Sequence, residues 1–591
     1  MRQLNFIPLT VRCLLGVVLF GGLQVTSTCG QDRSRYQPVV PLPEPCQPLL
    51  PAIPAPVATG TSDVLVDRLR GIWIVDHPAA VRDPLAAFDG VRMDPAADLS
   101  LAVENELFPN VLRPYLGQPI TTQQLHQLAD DVIAFYRHWG HPVVDVSLPS
   151  GQDITDGMIK VVIREGRVGR VLATGGCWTD CCRLQQQTWL RPGQKIEPPC
   201  LDEELRWLNR HPFRDVSVAF QPGSVDGTTD LVYHVRDRRP VRGFVGYDDS
   251  GTRITGLERV QAGFVWGNAA DHLLTYQYSA DAGLSGRLDV HSLEYSIPLW
   301  ETRDMLSIYG SWGRTDTQFD IGGTPTARVG DAWQVSVRYL HELFCGAGHN
   351  DELHFGLDVK GADTFAEFGI PSLAAVPGSD VHIVQFNAGW SSEQRYCDGV
   401  TRYGVDVFGS PGGLLNNNHA RDFKLVRDHT RATYAYARGF WEESYQLDAR
   451  REFLFRLSGQ LSTSRLLPTE QLGFGGYSSI RGYDYRSINA DNGYVLNLEH
   501  RWCPLQGCHH GQPTSLTMLA FADLGQHLNW GSNAGLPYDD GDLLASVGLG
   551  LRYRLGSHVA VRCDYGLPLT DVGGVRRNTS GRLHLGATLA C

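Results

Sequence analysis

The side chains whose type and spacing could do chemistry fall into three groups. Gly473-Phe474-Gly475-Gly476-Tyr477-Ser478-Ser479-Ile480-Arg481-Gly482-Tyr483 is a glycine-dense run whose single cation, Arg481, sits inside Ile-Arg-Gly-Tyr, and further on Phe521-Ala522-Asp523-Leu524-Gly525 carries a lone carboxylate. A guanidinium presents its donors in a fixed fork and needs an anion of matching shape once it leaves water. Taken by itself, the run also reads as a glycine turn with a solvated arginine. The second group is Cys503, Cys508, His509 and His510: the thiols bracket Pro-Leu-Gln-Gly, a turn-like insert where they could meet, and the four side chains are also zinc-type ligands. One such cluster without a second matched pair is a weak metal signal. The third is Cys177, Cys181, Cys182 and Cys200, which read as one or two disulfides, the default for an exported chain with 13 cysteines. No G-x-S-x-G, H-E-x-x-H or nucleotide loop occurs, and no paired carboxylates stand on a recognisable scaffold. No catalytic residue, metal or cofactor is therefore expected.

The elements that must position these residues change character along the chain. Arg2 and Arg12 precede an apolar run from Cys13 to Val25, too short to span a bilayer as a helix, and residues 1–30 read as an export signal cleaved near Cys29 or Gly30. Residues 31–61 are proline-rich, a composition that favours extended, solvated backbone, and form a linker. From 62 to 168 comes an α/β segment. Thr121 with Gln124 is a capping-box signal, Leu125, Leu128, Val132 and Tyr136 follow at helical spacing, and the helix should end near Gly140, with strands at Val143–Leu148 and Ile159–Arg164. Residues 169–238 repeat the logic. Asp202, Glu203 and Glu204 place acid at a helix start, Leu201, Leu205 and Leu208 share a face, Asn209 ends the helix, and strands follow at Val216–Phe220 and Asp230–Val235.

Beyond about residue 239 helical periodicity disappears. Val547, Leu549, Leu551, Tyr553 and Leu555 alternate with Ser546, Gly548, Gly550, Arg552 and Arg554; Phe453–Leu461, Leu353–Val359 and Leu583–Leu589 behave alike. One apolar and one polar face per strand suits a membrane barrel, and also a soluble sandwich. No later segment holds 18 consecutive apolar residues, so any membrane crossing must use strands, and strands in hydrocarbon must close on themselves because an open edge leaves unpaired N–H and C=O groups. Roughly 350 residues at about 22 per strand plus connection give about 16 antiparallel strands. The net charge is −12 with basic residues scattered, so no nucleic-acid footprint is visible.

The Ile480-Arg481-Gly482-Tyr483 run resembles the VRGY/F loop of the outer-membrane assembly (BamA-like) superfamily, more narrowly its TpsB branch of two-partner secretion transporters, the ShlB/FhaC/HecB hemolysin secretion/activation family. Phe521-Ala522-Asp523-Leu524-Gly525 resembles that family's FxDxG strand. Tyr115-Leu116-Gly117-Gln118-Pro119-Ile120-Thr121, Asp153-Ile154-Thr155-Asp156-Gly157 and Arg164-Glu165-Gly166-Arg167-Val168 resemble its first POTRA domain, and Trp207-Leu208-Asn209-Arg210-His211-Pro212-Phe213 its second; Tyr247-Asp248-Asp249-Ser250-Gly251 looks like the entry to the first barrel strand.

The resemblance implies two α+β periplasmic POTRA domains followed by an all-β transmembrane barrel in the bacterial outer membrane. It implies a channel loop of Gly475, Gly476, Ile480, Arg481, Gly482 and Tyr483, folded inward, with Arg481 pairing to Asp523 on a strand that also carries Phe521 and Gly525. Tyr115, Leu125, Leu128, Leu205, Leu208 and Phe213 then mark the client-binding POTRA region. The implied partners are a secreted exoprotein with a β-helical N-terminal secretion domain, outer-membrane lipid and periplasmic chaperones, with no nucleic acid; an assembly insertase is the alternative within the superfamily. Three features depart from the family's pattern: the proline-rich start in place of a plugging helix, Cys591 in place of a final aromatic residue, and an extended stretch from Gly71 to Asn105 to which the sequence assigns no role.

Overall fold

The computed structural model describes residues 64–591 apart from 79–85, 100–106, 140, 142, 150–151, 253–254, 322–323, 347, 369–373, 377–379, 510, 531–540 and 572–579. The expected signal and linker over 1–61, the helix end at Gly140, and His510 lie outside the described residues. The chain divides into two compact units, the first ending at Arg238 and the second starting at Arg239.

The first unit begins with β1 (Val64–Val66), β2 (Gly71–Val75), β3 (Gly90–Met93), α1 (Phe108–Leu112), β4 (Ile120–Thr121), α2 (Thr122–His138), β5 (Val144–Ser147) and β6 (Met158–Glu165). The main sheet has the order β3-β2-β6-β5. The capping box is present: Gln124 N–H donates to Thr121 Oγ1 at 3.2 Å, and Thr121 N–H to Gln124 Oε1 at 2.9 Å. It starts α2 so that Leu128, Val132 and Tyr136 land on one face, fully buried against Ile72, Ile74, Val161 and Ile163. Each such aliphatic side chain stabilises the domain by about 1.5–3 kcal/mol. The unassigned stretch after Gly71 supplies β2, parallel to both β3 and β6. Gly71-Ile72-Trp73-Ile74-Val75 carries no alternation because both of its faces are covered.

The second sheet, ordered β7-β9-β8, is built from β7 (Arg167–Gly175), α3 (Cys181–Gln187), α4 (Pro198–Leu208), β8 (Arg214–Pro222) and β9 (Thr228–Asp237). It starts at Arg167 rather than 169, because Arg167 and Val168 already pair with Thr228 and Thr229. Helix α4 starts at Pro198 rather than beside Asp202: prolines at its first positions preset φ and lack only an N–H the helix would leave unused. Glu204 is consequently not a helix-start acid. It is buried and accepts from Leu190 N–H and the Tyr233 hydroxyl. Asn209 does cap α4. The disulfides expected among Cys177, Cys181, Cys182 and Cys200 are not formed; all four are free thiols. Asp180 caps α3 through Cys182 and Arg183 N–H, and the Cys181 thiol donates to the Gly175 carbonyl at 2.8 Å.

The second unit is a closed antiparallel barrel of 16 long strands among the described residues, with one three-residue strand paired to the end of the seventh that projects beyond its neighbour. Its first half comprises β10 (Val241–Asp248), β11 (Arg259–Gly267), β12 (Leu273–Asp281), β13 (Leu288–Leu299), β14 (Asp304–Ile321), β15 (Thr324–Gly346), β16 (His349–Phe368), the short β17 (Ala374–Val376) and β18 (Asp380–Tyr396). Then follow β19 (Gly399–Ser410), α5 (Ala420–Val426), β20 (Tyr434–Asp448), β21 (Arg451–Ser462), a small hairpin of β22 (Leu472–Phe474) with β23 (Ile488–Ala490), β24 (Asn492–His509), β25 (Gln512–Leu528), β26 (Leu543–Leu555), β27 (Val559–Pro568) and β28 (Arg582–Ala590). β10 pairs with β28 from Phe244↔Ala590 to Asp248↔Gly586, and Cys591 extends that seam by exchanging backbone hydrogen bonds with Gly243. Closure leaves no sheet edge, the condition for strands in hydrocarbon.

The alternation resolves as a greasy exterior and a polar bore. Val547, Leu549, Leu551 and Tyr553 point outward and are exposed, as are Phe355, Phe453 and Leu583, while His354, Asp358, Gln460, Ser546 and His584 are buried on the inner face. No helix of the described residues is long and apolar enough to cross a membrane. The turn expected between Cys503 and Cys508 is absent: both residues lie within β24, whose reversal into β25 comes at Gly511. Five positions along a strand separate them by on the order of 16 Å, out of disulfide reach, and both are free. Among the described residues no cluster of His, Cys, Asp and Glu could hold a metal ion.

Candidate functional site

The longest connections of the barrel, 411–433 and 463–491, lie at the end opposite the one where the chain enters it. The connection between β21 and β24 turns inward from that far end. The β22–β23 hairpin narrows it, and residues 475–487 form its tip. Two glycines make the tip possible. Gly475 and Gly476 have φ of 99° and 95°, a region closed to most side chains, and a Cβ on Gly476 would stand 2.7 Å from the Tyr485 ring.

At the tip Arg481 is 3% exposed. Its Nε and Nη2 make a two-pronged contact with Asp523 at 2.8 and 2.7 Å, its own backbone N–H donates to the same carboxylate at 3.0 Å, and Nη1 reaches Glu499 at 2.7 Å. The guanidinium carbon stands 3.6 Å from the centroid of the Phe521 ring. Phe521, Asp523 and Gly525 alternate on the inner face of β25, and each has a separate task. The ring is a flat floor for the cation, the carboxylate matches the fork, and the glycine makes room. A Cβ on Gly525 would meet Ile480 Cδ1 at 2.6 Å. Ile480 and Tyr483 are buried in a small core with Phe474, Ile488, Val495 and Leu544, and the Tyr483 hydroxyl donates to the Thr570 carbonyl at 2.8 Å.

Several partners were not legible beforehand. Asn497 and Glu499 on β24 face Asp523 and Phe521 in register, and Asn497 Nδ2 donates to Asp523 Oδ1 at 2.8 Å and to the Ser479 carbonyl at 2.6 Å. Gly482, with φ of 93°, donates its N–H to His584 Nε2 at 3.0 Å, so that nitrogen carries no proton and Nδ1–H donates to Asp249 at 2.6 Å. Asp249 belongs to the Tyr247–Gly251 run that reads as the entry to the barrel; here it braces the loop. Gly566 lies beneath Gly482, where a Cβ would stand 2.5 Å from the Gly482 nitrogen. Tyr477 lies 3.6 Å under the Arg562 guanidinium, and Arg552 forks onto Asp564 beside it. A second anchor holds the descending limb. Glu470 is 1% exposed, pairs with Lys360 at 2.9 Å and accepts from the Tyr436 hydroxyl at 2.7 Å, while its carbonyl accepts from Arg438 at 3.0 Å. On the entry side of the loop a cavity of about 950 Å³ is lined by Arg456, Arg501, Glu452, Glu499 and Arg554 among others. The visible signal for Asn497 and Glu499 was the polar face of β24; which strand would lie opposite was not visible.

The residues expected to receive a client do not form a surface. Leu128, Leu205, Leu208 and Phe213 are buried in the cores of the two α/β domains. Leu125 and Tyr115 are half-buried against the first of these cores, with the Tyr115 hydroxyl donating to Asp131 at 2.6 Å. This corrects the expectation: helical spacing selects the residues that hold α2 and α4 to their sheets, and a side chain spent on the core cannot also reach a partner. The exposed large apolar groups of this unit's described residues include Trp139, Trp178 and Trp189, with Val64, Leu65, Leu107 and Val225.

Residues 227–553 match the family described as haemolysin secretion/activation protein ShlB/FhaC/HecB, and residues 98–166 match the POTRA domain, ShlB-type. The outer membrane transporter CdiB of Escherichia coli is 23% identical over 504 residues, covering 82% of this chain and 82% of that protein. The heme/hemopexin transporter protein HuxB of Haemophilus influenzae is 22% identical over 411 residues, covering 66% and 68%. Among solved structures, CdiB from Escherichia coli matches with a TM-score of 0.68 at 19% identity over 91% of this chain and 92% of that one, and CdiB from Acinetobacter baumannii with 0.58 at 16% over 99% and 96%. Both share this fold.

Proposed function

The chain belongs to the ShlB/FhaC/HecB family of haemolysin secretion/activation proteins, outer-membrane transporters that export partner proteins, and from that premise we propose that it captures one unfolded exoprotein on its α/β domains and conducts it through the barrel past the Arg481 loop. The observation that carries the reading is the loop itself. A bore held by a charge-paired, inward-folded connection with its own aromatic floor and glycine clearances is built to keep one position, which a passive pore does not need.

The α/β domains suit capture by strand addition, in which backbone hydrogen bonds give affinity that tolerates many sequences. β8 is an edge strand of its sheet. Asn209 already seals its start, giving to the Val216 carbonyl at 2.9 Å and accepting from Val216 N–H at 2.7 Å. This leaves the later residues to a partner strand. The client is a secreted protein with a β-helical N-terminal domain, and folding outside the cell draws it through. Periplasmic chaperones deliver it unfolded.

The test is secretion of a large exported protein encoded beside this gene, measured in the medium with and without the chain. Export that requires both the barrel and residues 62–238 supports the reading. Export unaffected by deleting 62–238 removes the capture step. Insertion of unfolded barrel proteins into vesicles by the purified chain, without export, would instead make it an insertase.

A further inference from the structure

The inner wall of the barrel changes character toward its far mouth. Deep in the bore β18 and β20 present Gln385, Asn387 and Arg438, but nearer the far end the same inner faces carry Val381, Ile383, Tyr434 and Tyr436, joined by Phe408 of β19, all buried. An apolar patch inside a watery channel is unfavourable unless something covers it. The cover is α5 in the 411–433 connection. Phe423 is fully buried against the patch, Val426 packs beside it, and Leu466 and Leu467 close the side nearest the inward loop. The approach to α5 is pinned to β18: His382 N–H donates to the Asn417 carbonyl at 3.0 Å, and Asn418 Nδ2 to the His382 carbonyl at 2.7 Å.

Beyond α5 the chain is held chiefly by Arg427, with Arg465 Nη1 donating to the Asp428 carbonyl at 3.3 Å beside it. Arg427 forks onto Asp491 with distances of 2.5 and 3.1 Å. Asp491 is fully buried and also accepts from Leu466 N–H, Gln471 Nε2 and Trp530 N–H at 3.0, 3.1 and 3.2 Å. Three far-end connections therefore meet on one carboxylate, and Arg427 is the charged partner that brings α5 to it.

We propose that α5 and Arg427 form a lid over the exit of the bore, latched on Asp491, and that withdrawal of this lid opens the far mouth while the Arg481 tip stays seated. The two holds differ in kind. The tip is fixed by Arg481, Tyr483 and Glu470 at separate points, so it leaves only when several buried contacts break together. The lid is a seven-residue helix, too short to keep its shape away from its dock; hinged on β18 at Asn417 and Asn418, it is held beyond that hinge by one apolar face and by Arg427, which forks onto Asp491 and donates to the Leu466 carbonyl at 2.7 Å, so it can swing away as a unit. This rests on reading the barrel as an export pore and assigns its gate.

The experiment uses the full chain, in planar bilayers and in cells, with Arg427→Ala and, independently, Phe423→Ser. Each variant is expected to raise the open fraction of the channel several-fold, and to admit a bulky antibiotic that wild-type cells exclude, while the protein keeps the heat-modifiable gel mobility of a folded barrel. Both variants remaining as quiet as wild type would overturn the lid. A raised conductance from Arg481→Ala but from neither lid variant would also overturn it, placing the gate at the tip. A rise in conductance for the lid variants with no partner secreted by wild type leaves the lid standing and removes the export reading instead.

Discussion

Replacing Arg481 by alanine tests the reasoning at its most sensitive point. The side chain makes three contacts to two buried carboxylates, Asp523 and Glu499, and covers the Phe521 ring. Removing it leaves Asp523 with Asn497 as its remaining side-chain donor, while Glu499 keeps Arg501 at 2.8 and 2.7 Å. Breaking a buried ion pair from one side costs about 3–5 kcal/mol, and the ring contact adds about 0.5–2 kcal/mol. At about 1.4 kcal/mol per factor of ten, the lower figure already shifts the seated-to-released ratio of the tip roughly a hundredfold. Glu470 still holds the descending limb, so the barrel stays assembled and the change is a loosening of the tip around position 481. Arg486 remains in the loop as a trypsin site, and its cleavage in folded protein reads the release directly; secretion of the partner into the medium reads the consequence. Asp523→Asn should do less, because Arg481 keeps Glu499. Arg481→Lys should fall between, keeping the charge and losing the fork. A tip of Arg481→Ala as trypsin-resistant as wild type, or Asp523→Asn proving the more damaging change, would refute the account.

Gly566→Ala should free the tip more than Gly525→Ala, since the added carbon meets the Gly482 backbone in the first case and chiefly the end of the Ile480 side chain in the second. The cost of such overpacking is about 1–3 kcal/mol, and the same trypsin assay ranks the two. Asn209→Ala leaves the Val216 N–H and carbonyl without their side-chain partner, a loss of about 1–3 kcal/mol, and should speed hydrogen exchange of Val216 at least several-fold while leaving α2 unchanged. Burial alone would raise the Asp237 carboxyl, but the N–H groups of Cys177, Trp178 and Thr179 outweigh it and hold the group below the ordinary carboxylate range. A depressed folded value means that its stabilisation is present above the unfolded value of about 3.9 and is lost as pH falls through the folded one. Amide protection at 177–179, corrected for intrinsic exchange, should therefore hold at pH 5 and fall away in more acid solution, and Asp237→Asn should abolish that pH dependence.

Much of the architecture was legible from local pattern. A strand of Val547, Leu549, Leu551 and Tyr553 alternating with polar residues fixes which face is apolar, though not whether lipid or a second sheet covers it, and the capping box at Thr121 sets where α2 begins whatever packs against it. Local pattern misled where one signal has two sources. The acids at 202–204 resembled a helix start, yet Pro198 begins the helix and Glu204 serves as a buried acceptor. The client-binding region that the resemblance implies at Leu128, Leu205 and Leu208 falls on residues that helical spacing commits to the core. β2 escaped because a strand covered on both faces has no period to read.

Arg481 and Asp523 belong to runs that could be singled out along the chain, because each motif carries its glycine clearance and its charge within a few residues. Glu499, Asn497, His584 with Asp249, Lys360 with Glu470, and Arg427 with Asp491 could not. Each is an ordinary polar residue on an alternating strand or in a connection, and what it touches depends on which strands neighbour one another, on their register and on how the far-end connections fold over the bore. A one-residue slip turns every such side chain from the bore to the lipid. Which faces are apolar is a property of the chain alone; which charges meet across the bore is settled only when the sheet closes, because closure sets every register at once.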